Sequence, residues 1–137
     1  MDKIDEIIIR LLSSDSRASN TELAQKLGMS ESAVRRRVGN LVASGRIRKF
    51  TIEVDNANMS SAVTWVSVNP SVPTSEVSQK IKGIPGVEVV YETAGQFDIA
   101  VVVKGANIAD LNRSVEGIRR VHGVISTNTS MVLRTIR

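Results

Sequence analysis

Cysteine is absent from this chain. That excludes disulfides, zinc fingers, iron–sulfur clusters and thiol nucleophiles, and it is compatible with a reducing compartment. His122 is the only histidine, so a metal site would lack a second imidazole. Its place in "RRVHG", near the end of a helical pattern, suits a capping or surface role, where a cation meets the negative end of the helix dipole. Aromatics make up 3% of the 137 residues. The core must therefore be aliphatic, and a surface that stacks single-stranded bases on rings is not expected. No apolar run approaches the roughly 18–20 residues of a membrane span. The opening "MDKIDEIIIRLL" is acidic and Arg10 interrupts its apolar run, unlike a signal peptide. A soluble cytoplasmic protein without membrane contact is the expectation. Phosphate-cradling loops, dinucleotide fingerprints and a serine beside a base are missing too, so neither a cofactor nor an enzymatic activity is expected.

What is present divides into two halves of different rhythm. With 42% hydrophobic residues the chain can bury a core. Ile4, Ile7, Ile8, Leu11 and Leu12 follow helical spacing, with Asp2 and Asp5 near the positive helix start. "SNTE" offers a capping box, Ser19 with Glu22, ahead of Leu23, Ala24 and Leu27, and Gly28 suits the C-terminal stop. Ser30 then caps a third helix with an inner stripe of Val34, Val38, Leu41 and Val42. In the second half, "SAVTWVSVNP", "GVEVVYETAG", "FDIAVVVKG" and "GVISTNTSMVL" read as strands, rich in β-branched residues and bounded by Gly, Pro or Asn. Helical patterns lie between the first two (Val77 and Ile81, capped by Thr74 or Ser75) and the last two (Ile108, Leu111, Val115 and Ile118).

The order strand, helix, strand, strand, helix, strand is that of the ferredoxin-like βαββαβ unit. The fold expected is α+β: a helix-turn-helix domain over 1–52, a linker over 53–61 and a ferredoxin-like domain over 62–137. Helices would cover one sheet face. Val66, Val68, Ile99, Val101 and Val103 leave few polar positions, so a second copy of the chain is expected on the other.

Charge is uneven. The net charge is +4, yet six cations and no acid fall within residues 33–52. Three of them, Arg35, Arg36 and Arg37, are consecutive in the third helix. Like charges so crowded call for an external counter-charge. With Val34 and Val38 inward, about 100° per residue turns Arg36 outward, Arg35 and Arg37 to its flanks, and Ser32, Ala33 and Asn40 onto its face. Such a helix fits the major groove of double-stranded DNA. There Arg reads guanine or holds phosphate, Asn reads adenine and small residues permit close approach. Ser30 stands at its start. "RIRKFTIEV" alternates as a short wing strand or hairpin, carrying Arg46, Arg48 and Lys49 toward the sugar–phosphate backbone.

"MDKIDEIIIRLLSSDSRASNTELAQKLGMSESAVRRRVGNLVASGRIRKF" closely resembles the N-terminal domain of the Lrp/AsnC (leucine-responsive, feast/famine) transcription regulators, and "ETAGQFDIAVVVKG" resembles the signature of their effector domain. The resemblance spans essentially the whole chain. It implies a homodimer built by pairing C-terminal sheets, often assembled into tetramers or octamers, with an amino acid bound between C-terminal domains. Carried onto this sequence, the effector residues are Thr93, Gly95, Gln96, Phe97 and Asp98 of the turn, with Thr127, Asn128 and Thr129 of the last strand. Free backbone N–H groups near Gly95 and the Thr hydroxyls suit a carboxylate, and Asp98 suits an ammonium. From the residues alone, "AGQFD" reads first as a plain hairpin turn in which Asp98 accepts local N–H bonds, and it is the resemblance that favours the pocket. Two alternatives to an effector-gated regulator stand beside this: an architectural DNA-binding protein without effector, and an enzyme like the sirohaem decarboxylases that share the architecture.

Overall fold

The computed structural model describes residues 1–55 and 57–137; Asn56, within the expected linker, lies outside them. The chain divides into two compact units, Met1–Asp55 and Asn56–Arg137.

The first unit holds α1 (Lys3–Ser14), α2 (Asn20–Leu27) and α3 (Glu31–Ala43). Each starts on a polar cap. Ser19 and Glu22 form the expected capping box on α2. Ser30 caps α3 by accepting the Ala33 N–H at 3.2 Å. Asp2 and Asp5 form a second box on α1, where the sequence had suggested only a favourable dipole contact. Gly28 ends α2 with φ 63°, a left-handed conformation that glycine adopts without a Cβ clash. Ile8, Leu12, Leu23, Ala24, Val34 and Leu41 form the core. Val42, placed in the inner stripe by its spacing, is 45% exposed. It lies about 80° round the helix from Val34, at the margin of the buried arc.

The second unit is a four-stranded antiparallel sheet of order β2-β3-β1-β4. Its strands are β1 (Ser60–Val68), β2 (Val87–Glu92), β3 (Ile99–Gly105) and β4 (Val124–Met131). The connecting helices are α4 (Thr74–Lys82) and α5 (Ile108–Arg119). This is the ferredoxin-like order. α4 starts one residue earlier than expected, with Pro73 in the cap position instead of Thr74 or Ser75; proline's fixed φ suits the boundary. Ile108 is the first residue of α5 and is 69% exposed, outside the stripe formed by Leu111, Val115 and Ile118.

The sheet register revises the expected faces. Val66 and Val68 belong to a buried cluster with Val77 and Ile81 of α4 and Ile118 of α5, and Ile99 and Val101 join it from β3. Val103 packs with Leu111. All five valines and isoleucines assigned to the open face therefore point at the helices. Side chains alternate across a strand, so the open face carries their neighbours: Val63, Trp65, Val89, Tyr91, Ala100 and Val102. Pairings of Val63 with Val102, of Trp65 and Tyr91 with Ala100, and of Val89 with Val102 place these six side by side. An apolar open face is thus present, made of different residues.

Candidate nucleic-acid and effector interfaces

α3 presents Ser32, Arg36 and Asn40 on its exposed face, with Ala33 half-buried beside them. Arg36 has no ion pair among the described residues. Nor do Arg46, Arg48 and Lys49 beyond the helix, which are all exposed. A groove of about 520 Å³ runs past the start of α1 and the second half of α3, lined by Met1, Asp5, Arg36, Arg37, Asn40 and Arg46 among others. The three consecutive arginines have three different settings. Arg35 folds back along its own helix and donates to Glu31 Oε1 and Oε2 at 2.5 and 2.6 Å, while staying 67% exposed. Arg36 is free. Arg37 is turned in.

The Arg37 side chain is 22% exposed, and its Nη1 donates to Asp2 Oδ2 and Asp5 Oδ1, both at 2.8 Å. One guanidinium nitrogen therefore ties α3 to both members of the α1 capping box. The Asp5 N–H, and then the Arg37 side chain, hold the Asp2 carboxyl below its ordinary value of 3.8. The Asp2 carboxylate, and then that of Asp5, push the Arg37 guanidinium up. Arg37, expected on a flank of the DNA-facing arc, also ties the helix that carries it to α1. Because Asp2 titrates lower in the folded chain, its share of stability is present above pH 3.8 and lost as the pH falls through the lower folded value. Arg37→Ala should therefore lower the melting temperature of the N-terminal unit at pH 7, and the gap between variant and wild type should narrow below pH 3.8. Thermal melts followed by circular dichroism across pH check both parts. A constant gap would show that the ion pairs contribute nothing.

Residues 46–55 form neither a wing strand nor a hairpin. The segment is held instead by Ile47 N–H donating to Leu41 O at 3.0 Å and by Ser16 Oγ donating to Thr51 O at 3.1 Å. Alternation alone does not make a strand without a partner to bond.

The expected effector residues fall into two groups. Thr93–Asp98 join β2 to β3. Thr93, Gly95 and Gln96 are exposed, and Phe97 and Asp98 half-buried, so the turn by itself encloses nothing. Thr93 closes the turn: its N–H donates to Asp98 O at 2.9 Å and its Oγ1 to Phe97 O at 2.8 Å. Gly95 has φ 153°, and nothing lies within 4 Å of where a Cβ would stand. Asp98 is tied to β1. Its N–H donates to Val66 O at 3.0 Å, and its Oδ2 accepts the Val68 N–H at 2.7 Å. β4 lies beyond β1, two strand spacings or about 10 Å from β3. There Thr127 accepts from Arg119 Nε and Thr129 bonds the buried Thr64 hydroxyl, both at 3.0 Å. These two threonines share the helix-covered face with Val66 and Thr64. Asn128 pairs with Trp65 and takes the open face. Within one copy, Phe97 of the turn and Asn128 both lie beside Trp65, whereas Thr127 and Thr129 take the helix-covered face. Trp65, missed in the sequence, bridges the first group: its ring sits 5.7 Å from that of Phe97, tilted by 32°, and it neighbours Asn128. Its signal was a lone tryptophan at an outward register position of a β-branched strand.

A basic recognition helix in a three-helix domain, joined to a βαββαβ domain, defines a DNA-binding regulator with an appended ligand-binding module. Comparison with known proteins agrees. Residues 1–42 match the AsnC-type helix-turn-helix domain and residues 61–137 the Lrp/AsnC ligand binding domain. The chain is 44% identical to the HTH-type transcriptional regulator LysM of Saccharolobus solfataricus, over 98% of this chain and 95% of that protein. It is 33% identical to the HTH-type transcriptional regulator FL11 of Pyrococcus horikoshii, over 98% and 91%. The feast or famine regulatory protein Rv3291c from M. tuberculosis, solved in complex with L-methionine, superposes with a TM-score of 0.90 at 29% identity, covering 99% of this chain and 94% of that one. The chain belongs to the Lrp/AsnC family of helix-turn-helix transcriptional regulators. It is a regulator and not an enzyme, which removes the sirohaem-decarboxylase alternative. No helix among the described residues is long and apolar enough to cross a membrane.

Proposed function

We propose that this chain is a cytoplasmic regulator that binds double-stranded DNA as a homodimer and answers to an amino acid held at its C-terminal domains. The observation that carries the DNA reading is the unpaired Arg36 at the centre of an exposed Ser32–Arg36–Asn40 face. For the homodimer it is the apolar open sheet face, which a second copy would cover and which leads to tetramers or octamers by further contacts. For the effector, support comes from the matched ligand-binding domain and from the relative that holds L-methionine. An exposed turn within one copy fits a site completed by another. The amino acid changes DNA binding only if it binds one arrangement of the assembly better than another. A thermal-shift screen with the twenty amino acids, each repeated in a DNA-mobility assay, tests this reading. Binding of one amino acid with a change in DNA affinity supports it. No shift, with DNA binding intact, would return the chain to the architectural alternative.

Gly39 gives an independent check on the DNA-facing arc. It lies about 60° from Arg36 around α3, and a Cβ there would meet nothing within 4 Å. Glycine inside a helix costs about 0.5–1 kcal/mol relative to alanine, and no contact in the fold offsets it. Gly39→Ala should therefore raise the melting temperature of the N-terminal unit and yet weaken DNA binding, because the added methyl meets the groove wall. Unchanged affinity would place Gly39 away from DNA.

A further inference from the structure

We infer that Asp98 is a positioning residue for the effector turn and does not itself bind the effector. The inference rests on the proposed effector reading and concerns how that site is built.

β1 pairs with β3 only as far as Val66 opposite Ile99. On its other side β1 continues to Val68, opposite Val124 of β4. Past Val66, the edge of β1 that faced β3 has lost its strand partner, and the Val68 N–H on that edge needs an acceptor. Val68 is itself buried, and a buried N–H without a partner is costly. Asp98 stands one residue before β3 and supplies that acceptor, with Oδ2 at 2.7 Å. Its own N–H meanwhile donates to Val66 O at 3.0 Å. Backbone and side chain of one residue thus carry the ladder past the end of β3. Thr93 completes the arrangement, since its N–H donates to Asp98 O. The turn therefore hangs on β1 through Asp98, and the adjacent Phe97 packs beside Trp65 of the same strand.

What this leaves for a ligand is specific. Among the described residues, the N–H groups of Gly95 and Gln96 have no partner, and both residues are exposed. They are the donors that a carboxylate would use. Asp98 is half-buried, its N–H is spent on Val66 O, and the Oδ2 that accepts the Val68 N–H is withdrawn from a ligand.

The two roles separate on Asp98→Asn. An asparagine Oδ1 still accepts the Val68 N–H, whereas a direct partner of an ammonium ion needs the charge, worth about tenfold or more in affinity. The experiment uses the full chain. The twenty proteinogenic amino acids are offered singly to wild type, and the one that binds is titrated calorimetrically into Asp98→Asn and Asp98→Ala. Hydrogen exchange at the Val68 amide is followed in all three. Positioning predicts that Asp98→Asn binds within about threefold of wild type and protects Val68. It also predicts that Asp98→Ala loses both affinity and protection. If Asp98→Asn binds as poorly as Asp98→Ala while Val68 stays protected, Asp98 is an effector ligand and the inference is overturned. If Val68 stays protected in Asp98→Ala, the anchoring is overturned. If no amino acid binds wild type, the effector reading fails on its own, and exchange at Val68 still decides whether Asp98 anchors the turn.

Discussion

Replacing Arg36 with alanine weakens binding of double-stranded operator DNA by about 10- to 100-fold, the scale of roughly 1–3 kcal/mol for an arginine that reads a base edge. Arg36 is singled out by its surroundings. Glu31 already engages the guanidinium of Arg35, and Asp2 and Asp5 engage that of Arg37. An unpaired guanidinium gives up only its water and side-chain freedom when it meets DNA, whereas a paired one must also give up its carboxylates. Fluorescence anisotropy at several salt concentrations separates the possible modes. If Arg36 chelates guanine, Arg36→Ala relaxes preference at one base position and leaves the salt slope nearly intact. If it holds a phosphate, affinity drops uniformly across sequences and the slope of log K against log salt falls by about one. Arg37→Ala, measured well below its melting temperature, should show neither change. An Arg36→Ala protein that binds within twofold of wild type would remove α3 from the centre of the interface.

The unequal fates of the three arginines show where reading the sequence stops. Helical spacing placed Arg37 on a flank of α3 correctly. It could not reveal that Asp2 and Asp5, more than thirty residues earlier, lie across from that flank, because only the packing of α1 against α3 brings them there. Local signals were legible where one residue answers a neighbour. The Ser19–Glu22 capping box, the left-handed Gly28 and the Ser30 cap are all three-residue or shorter relationships. The wing failed for the opposite reason. Phe50, Ile52 and Val54 alternate as a strand would, and all three are exposed with no strand beside them. The two sheet faces were confused because β1 is apolar on both. "AVTWVSV" places Ala62, Val66 and Val68 on one side and Val63 and Trp65 on the other, and period two separates the sets without saying which set the helices take. The effector residues split for the same reason: Thr127 and Asn128 are adjacent in sequence and on opposite faces of β4.

That ambiguity also supplies the sharpest test of the assembly. Val101 and Val102 are neighbours on β3. Val101 is buried in the cluster with Ile81 and Ile118, and Val102 sits on the open face between Val63 and Val89. A glutamate at position 101 would place an unpaired carboxylate in the core, a cost of several kcal/mol that the second unit cannot absorb. A glutamate at position 102 leaves the folded monomer wet on that side and nearly as stable as before. It places the same carboxylate in the middle of the proposed interface, where the partner's open face is also apolar and offers it no counter-charge. The expected result is that Val102→Glu keeps its circular dichroism spectrum, sediments as a monomer at micromolar concentration where wild type sediments as a dimer or larger, and still binds an amino acid only if one copy suffices. A monomer also loses the avidity of two heads. Its affinity for a two-half-site operator should drop by about 100-fold or more toward that of a single site, an effect larger than that of any single base contact. Val101→Glu, in contrast, should lose its folded spectrum. If Val102→Glu remains a dimer with full operator affinity, the open face is not where two copies meet.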